Sequence, residues 1–133
     1  MNKLSGKINT VETSEELSIV SVDLGNDIRV KTVIIENQGD DNLYKVGEEV
    51  IACFKETEVA IGRGELSNIS LQNQLTGKII EVKEGKLLGR VDLETEVGRI
   101  VAIISSNAIK TLELTVGIKA TALIKLNEII LSR

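Results

Sequence analysis

The chain has 133 residues, of which 42% are hydrophobic and 27% are charged, and it carries a net charge of −4 without any histidine or proline. These values are typical of a soluble globular protein of one domain. The acidic balance argues against a nucleic-acid partner, which selects for a basic face, and two aromatic residues, Tyr44 and Phe54, are too few to stack single-stranded bases.

The residue types that most enzymes use are scarce. Without histidine the chain has no imidazole base and no Ser-His-Asp triad, and a lone Cys53 cannot build a disulfide, a zinc site or an iron–sulfur site within one chain. No phosphate-binding glycine motif is present. The sequence therefore predicts a protein that is not an enzyme and has no metal or covalent cofactor. No secretory leader or membrane-length apolar run is seen, so we expect a cytoplasmic location without membrane contact.

An internal repeat is the strongest signal in the chain. The segment Leu4-Ser5-Gly6-Lys7-Ile8 returns as Leu75-Thr76-Gly77-Lys78-Ile79, and the segment 46–55 returns as 116–125 with the same Val-Gly start and Lys end. Duplicated units of this size are small folded modules. We expect a first repeat over 1–62, a linker over 63–69 and a second repeat over 70–133.

Each repeat reads mostly as β-strand. In the first copy Val20, Val22 and Leu24 align with Gly89, Val91 and Leu93 of the second copy, where apolar and polar residues alternate with the period of a strand. In the second copy strands are predicted over 78–83, 87–93, 99–104, 120–124 and 128–131.

A helical turn is predicted between the third and fourth strands. Residues 105–112 begin with residues that cap helices and then space their apolar side chains at helical intervals. Five short strands with such a turn favour an all-β fold of two tandem five-stranded OB-like barrels. Several strands look apolar on both faces, so we expect a homo-oligomer.

Oxyanion binding is the chemistry that the composition leaves open. An oxyanion needs hydroxyl, amide and backbone N–H donors together with a cation. The second repeat offers Ser105 and Ser106 at the predicted helix start, and Lys125 at the end of the fourth strand. Ser70, Gln72 and Asn73 precede its first strand.

The order of these segments resembles a known family. The segment 70–79 is similar to the Ser-x-Arg-Asn-x-Leu-x-Gly opening of the molybdate-binding Mop, or TOBE, domain, and 101–105, 116–117 and 122–129 are similar to its later blocks. The resemblance covers both copies, as in the tandem molbindins. It implies OB-like barrels with molybdate or tungstate bound between subunits, in a homotrimer of two-repeat chains, with a dimer as the alternative.

The resemblance also implies site residues in the second repeat. Ser70, Asn73 and Lys125 match the family, Gln72 replaces its arginine, and Ser105 replaces its threonine. Ala108 stands where the family often has serine, so only its backbone N–H could bind there.

The first repeat departs further from the family pattern. Asn2 matches, but Glu36 occupies the position of Ser105, and Glu56 follows Lys55. Carboxylates repel a dianion, so we expect this repeat to contribute Lys55 at most, with Glu36 as an internal mimic of the anion.

Two functions follow from these observations. The first is cytoplasmic binding and storage of molybdate or tungstate without catalysis. The alternative is a structural or regulatory interaction module that keeps the barrels and has lost the ligand, for which Gln72 and Glu36 argue.

Overall fold

The computed structural model describes residues 1–35 and 44–133. Its elements run along the chain as follows: β1 (Asn2–Ser14), β2 (Leu17–Gly25), β3 (Ile28–Ile35), β4 (Glu49–Phe54), a first 3₁₀ turn (Glu56–Glu58), β5 (Ala60–Arg63), β6 (Asn73–Glu84), β7 (Leu88–Thr95), β8 (Gly98–Ser105), α1 (Ser106–Thr111), β9 (Lys119–Ile124), a second 3₁₀ turn (Leu126–Glu128) and β10 (Ile130–Ser132).

The strands form two five-stranded antiparallel sheets, which confirms the all-β prediction. The strand order is β10-β4-β1-β2-β3 in the first sheet and β5-β9-β6-β7-β8 in the second. The last strand of each repeat therefore joins the sheet of the other repeat. Arg63, which the sequence placed in the linker, is the last residue of β5 and pairs with Ala120. Hydrogen bonding thus crosses the boundary expected at residue 62.

The long first strand of each repeat is bent at the same place. β1 has a register shift between Ile8 and Thr10, and β6 has one between Ile79 and Glu81. Next to the bend, a Cβ at Gly77 would lie 2.0 Å from the carbonyl oxygen of Glu94. Only glycine allows this close approach of two backbones, which explains why the glycine of the repeated Leu-x-Gly segment recurs.

Register corrects two details of the predicted alignment. Ile8 pairs with Val22 and Ile79 pairs with Leu93, so Val22 is equivalent to Leu93 rather than to Val91. The last strand begins at Ile130, because the preceding residues form the second 3₁₀ turn.

The predicted helical turn is confirmed in the second repeat as α1. Its counterpart in the first repeat would fall largely on residues 36–43, which lie outside the described residues.

One hydrophobic core joins the two repeats. Phe54 and Leu75 are among the fully buried members of a single cluster that draws on both sheets. Cys53 is buried as well. Each fully buried large side chain contributes roughly 1.5–3 kcal/mol, so the repeats stabilise each other. Within the described ranges no helix is both long and apolar enough to cross a bilayer.

Candidate functional site

Strand register brings the start of the second repeat to the end of its fourth strand. β6 and β9 are antiparallel and pair Asn73 with Ile124, so the preceding Gln72 and the following Lys125 lie side by side. A pocket of about 750 Å³ opens at this place, and we call it the Lys125 pocket. Four predicted residues line it together with their neighbours: Ser70, Gln72, Asn73 and Lys125.

Three of these side chains are available to a ligand. Ser70 and Gln72 make no side-chain hydrogen bond within residues 1–35 and 44–133, and Lys125 makes no ion pair there. The loop that carries them is held by the Gln74 amide, which donates to the carbonyl oxygen of Leu71 at 2.8 Å. The pocket therefore presents a hydroxyl and an amide from this loop and an ammonium group from the end of β9.

Asn73 has a structural task that the sequence did not reveal. Its side chain is 2% exposed. Its Nδ2 donates to the carbonyl oxygen of Lys31 at 2.8 Å, and its Oδ1 accepts from the backbone N–H of Lys31 at 2.7 Å. Asn2 makes the same pair of bonds with Val101 of β8, at 2.9 and 2.8 Å. The two equivalent asparagines therefore bind each repeat to the edge strand of the other repeat, β3 or β8.

The predicted residues around α1 do not line the Lys125 pocket. Ser105 caps the helix by accepting from the backbone N–H of Ala108 at 3.0 Å, and Ser106 is buried with its hydroxyl donating to the carbonyl oxygen of Gly85 at 2.8 Å. The Ala108 N–H, which we expected to face the ligand, is thus already paired. Within one chain the candidate residues form two separate groups.

Packing between the repeats explains this separation. The second 3₁₀ turn, which follows Lys125, packs on β3 of the first repeat, where the Thr32 hydroxyl donates to the carbonyl oxygen of Ile129 at 2.5 Å. The first 3₁₀ turn, which follows Lys55, packs on β8, the strand that ends at Ser105. The turn after each lysine therefore packs against the third strand of the other repeat.

The position in the first repeat that matches the Lys125 pocket carries an ion pair. Glu56, equivalent to Leu126, contacts the amino group of Met1, and this hydrogen bond holds the pKa of the Glu56 carboxyl below its ordinary value. A carboxylate beside Lys55 disfavours an anionic ligand, and a contribution of Lys55 to a binding site stays a prediction. The predicted mimic Glu36 lies outside the described residues. Its predicted alignment with Ser105 is wrong: the equivalent residues Leu17 and Leu88 pair with Ile35 and Ser105, so Ile35 is the counterpart of Ser105.

A buried carboxylate on β7 is a feature that the sequence analysis missed. Asp92 is 0% exposed and accepts from Arg90 Nε at 2.7 Å and from Arg99 Nε at 2.8 Å. The hydrogen bond from Arg90 is the main cause that lowers the pKa of Asp92 below its ordinary 3.8. In the described part of the chain no cluster of three or more His, Cys, Asp or Glu residues could hold a metal ion.

The fold and the pocket define a class: a duplicated, strand-exchanged β-barrel protein with an open pocket of hydrogen-bond donors and a lysine.

Comparison with known proteins places the chain in a family. The TOBE domain model matches residues 69–131. Molybdenum-pterin-binding protein 3 of Clostridium pasteurianum is 37% identical over 65 residues, which are 48% of this chain and 96% of that protein. The chain belongs to the TOBE/Mop domain family.

Two longer matches extend over both repeats. Molybdenum-pterin-binding protein MopB of Rhodobacter capsulatus is 29% identical over 133 residues, 98% of this chain, and the chain spans about half (49%) of its length. A structure of the cytoplasmic molybdate-binding protein ModG with molybdate bound matches with a TM-score of 0.90 at 24% identity, over 98% of this chain and 94% of that one. The two-barrel fold predicted from the repeats is thereby confirmed.

Proposed function

We propose that the protein binds molybdate or tungstate in the Lys125 pocket and stores it in the cytoplasm without catalysing a reaction. The observation that carries this proposal is that Ser70, Gln72 and Lys125 line one pocket, and that their side-chain donors have no partner in the part of the chain that the structure describes. A tetrahedral dianion can accept hydrogen bonds from all three, and bonds that involve charged groups are the strongest of their kind. The relatives' names support the choice of anion.

A neighbouring subunit completes the site in this proposal. Ser105, Ser106 and Ala108 do not reach the Lys125 pocket of their own chain. Ser106 and the Ala108 N–H are already bonded within the chain, so in this proposal the Ser105 hydroxyl, which accepts from Ala108 and still has a proton to donate, meets the ligand across an interface. Large apolar side chains are exposed beside them, with Leu87 at 78% and Leu88 at 60%. Exposed apolar surface favours association. A homotrimer of two-repeat chains, with repeats over 1–62 and 70–133, is the assembly we propose, and a dimer is the alternative.

The second candidate function is an interaction module without a ligand. Two observations favour it: Gln72 supplies a neutral amide where the family motif has arginine, and Glu56 fills the matching position of the first repeat with an ion pair. Calorimetric titration of the purified protein with molybdate, tungstate and sulfate distinguishes the two functions. A ligand at 100 times its dissociation constant stabilises the fold by about 2.7 kcal/mol, so a thermal shift would accompany binding. Flat titrations with all three anions would leave only the interaction module.

Lys125→Ala tests the cation of the proposed site. Loss of a charge-assisted hydrogen bond worth about 1.5–3 kcal/mol should raise the dissociation constant for molybdate roughly 10- to 100-fold. Lys55→Ala is the matched control, because Lys55 is the equivalent residue of the other repeat and follows β4 as Lys125 follows β9. We expect at most a small change for the control. Equal losses for both variants would contradict the assignment to the Lys125 pocket.

Gln72→Arg tests whether the neutral amide limits affinity. The substitution restores a charged donor to an exposed position next to Lys125, and a charged donor is worth about 1 kcal/mol more than a neutral one. We expect roughly fivefold tighter molybdate binding by calorimetry. Gln74→Arg is no substitute, since Gln74 holds the loop, whereas Asn127→Arg adds the same charge at the pocket rim and serves as the control. A gain with Asn127→Arg equal to that with Gln72→Arg would show a general charge effect instead.

A further inference from the structure

One arginine is present at equivalent positions of both repeats, but its ion pairs differ between them. In the second repeat Arg99 is neutralised: its Nε donates to Asp92 at 2.8 Å and its Nη2 to Glu81 at 3.0 Å. Both carboxylates come from neighbouring strands of the same sheet. The Asp92 carboxylate, which accepts from Arg90 as well, shows how this surface holds a planar oxyanion.

The first repeat keeps the arginine and lacks both carboxylates. Directly after the bend, Thr10 pairs with Ser21 in the first repeat, just as Glu81 pairs with Asp92 in the second. Ser21 and Thr10 therefore occupy the places of the two acids. The equivalent residues Val22 and Leu93 pair with Val30 and Ile100 of the next strand. Arg29 and Arg99 directly precede these two partners, so Arg29 is equivalent to Arg99.

A cavity of about 240 Å³ lies at this place, and we call it the Arg29 cavity. Arg29, Lys31 and the hydroxyl-bearing Ser21 and Thr10 line it. In the stretches 1–35 and 44–133 neither Arg29 nor Lys31 makes an ion pair. Glu12 is the carboxylate on the lining. Two cations facing one carboxylate leave the cavity with a positive charge that solvent and salt must balance.

The backbone beneath the cations is fixed. Lys31 is opposite Ser21 in the β2–β3 ladder, and its backbone N–H and carbonyl are both bonded to the buried side chain of Asn73. Gln72 and Asn73 also line the Lys125 pocket, so the two openings flank one short segment. The cavity is therefore a built part of the contact between the repeats.

We propose that the Arg29 cavity is a second anion site, which takes a compact oxyanion of the phosphate or sulfate type. The guest occupies the space that the Asp92 carboxylate fills in the second repeat. A guanidinium fork binds two oxygens of such an anion, Lys31 supplies the second charge, and the hydroxyls of Ser21 and Thr10 donate to the remaining oxygens. This site is independent of molybdate binding in the Lys125 pocket.

Calorimetry with inorganic phosphate on the full chain at low ionic strength tests the site. We expect the double variant Arg29→Gln/Lys31→Gln to weaken phosphate binding at least tenfold, and Lys125→Ala to leave it unchanged. Unchanged phosphate binding in the double variant would overturn the proposal. An equal loss with Lys125→Ala would also overturn it, because it would show that both openings form one site. A failure of molybdate to bind the Lys125 pocket would leave these outcomes unaffected.

Ser21→Asp supplies a reciprocal test that does not remove any cation. The new carboxylate copies Asp92, so we expect it to pair with Arg29, to abolish phosphate binding and to raise the thermal midpoint in phosphate-free buffer. Ser21→Asn is the uncharged control of nearly the same size, and it should lose less phosphate affinity than Ser21→Asp. Phosphate binding by Ser21→Asp with the affinity of the unmodified protein would contradict the site.

Discussion

Asn73→Ala should lower the free energy of unfolding by about 2–5 kcal/mol, measured by urea denaturation. The substitution removes two hydrogen bonds to the backbone of Lys31 and leaves that N–H and carbonyl without their partner. Each backbone group left unpaired in a buried place costs about 1–3 kcal/mol. The expected loss is a large part of the about 5–15 kcal/mol by which proteins of this size are stable.

The reason for so large an effect is the position of β3. It is the last strand of the first sheet, so within residues 1–35 and 44–133 no strand pairs with the other side of its backbone. The Asn73 side chain supplies both an acceptor and a donor there and acts as one residue of a further strand, which is one way of protecting a sheet edge. The same bond pair also ties the two repeats together at a partly buried contact.

Matched variants distinguish the effect of the lost edge-strand hydrogen bonds from the effect of replacing any asparagine. Asn2→Ala removes the equivalent bonds to Val101, so it should cost a similar amount. Asn73→Asp keeps the acceptor and loses the donor, so its carboxylate faces the Lys31 carbonyl and the loss should persist. Asn68→Ala, at an exposed position, should change the free energy of unfolding by less than about 0.5 kcal/mol. An Asn73→Ala variant as stable as Asn68→Ala would show that the edge does not need the amide.

Asn73 also shows where sequence reasoning stops. The repeated Leu-x-Gly segment, the strand periodicity and the lysine at the end of the fourth strand were enough to predict two five-stranded units, and register then places Gln72 beside Lys125. An asparagine before a strand, however, looks the same in sequence whether it binds a ligand or a neighbouring backbone. Only the contact with Lys31, 42 residues away, distinguishes the two roles.

The exchange of the last strands was invisible for a related reason. β5 and β10 are short and come from equivalent positions of two similar repeats. Each sheet offers the same kind of edge at β4 and β9, so pairing within or between the repeats satisfies one and the same sequence pattern. The segment between the repeats read as a simple linker, although its first residue, Arg63, pairs with Ala120 in β5.

The burial of a charged strand residue, Asp92, was also not predictable from the sequence. Its alternation with apolar neighbours placed it on a polar face, yet it is completely buried. The long side chains of Arg90 and Arg99 cover it while they remain about half exposed themselves. Arginine can lie over a neighbour in this way and keep its charged end in water. A strand position that appears solvated thus becomes a buried ionic contact.

Asp92→Asn should lower the free energy of unfolding by about 2–3 kcal/mol at pH 7. The substitution removes a buried negative charge between two guanidinium groups, and the cost stays below that of a fully buried pair because both arginines reach water. Glu81→Gln is the control: Glu81 contacts the same Arg99 at the surface, where an ion pair contributes about 1 kcal/mol or less.

The pH dependence of the stability difference between the unmodified protein and Asp92→Asn gives a sharper test. The hydrogen bonds from Arg90 and Arg99 hold the pKa of Asp92 below its ordinary value of 3.8, so the folded state binds that proton less tightly than the unfolded state. The stabilising contribution is therefore complete above pH 3.8 and is lost as the pH falls through the lower pKa of the folded protein. Urea midpoints of the unmodified protein and of Asp92→Asn should converge in acid, from about pH 4 downward. A constant separation down to about pH 2 would mean that packing of the side chain, and not its charge, accounts for the loss.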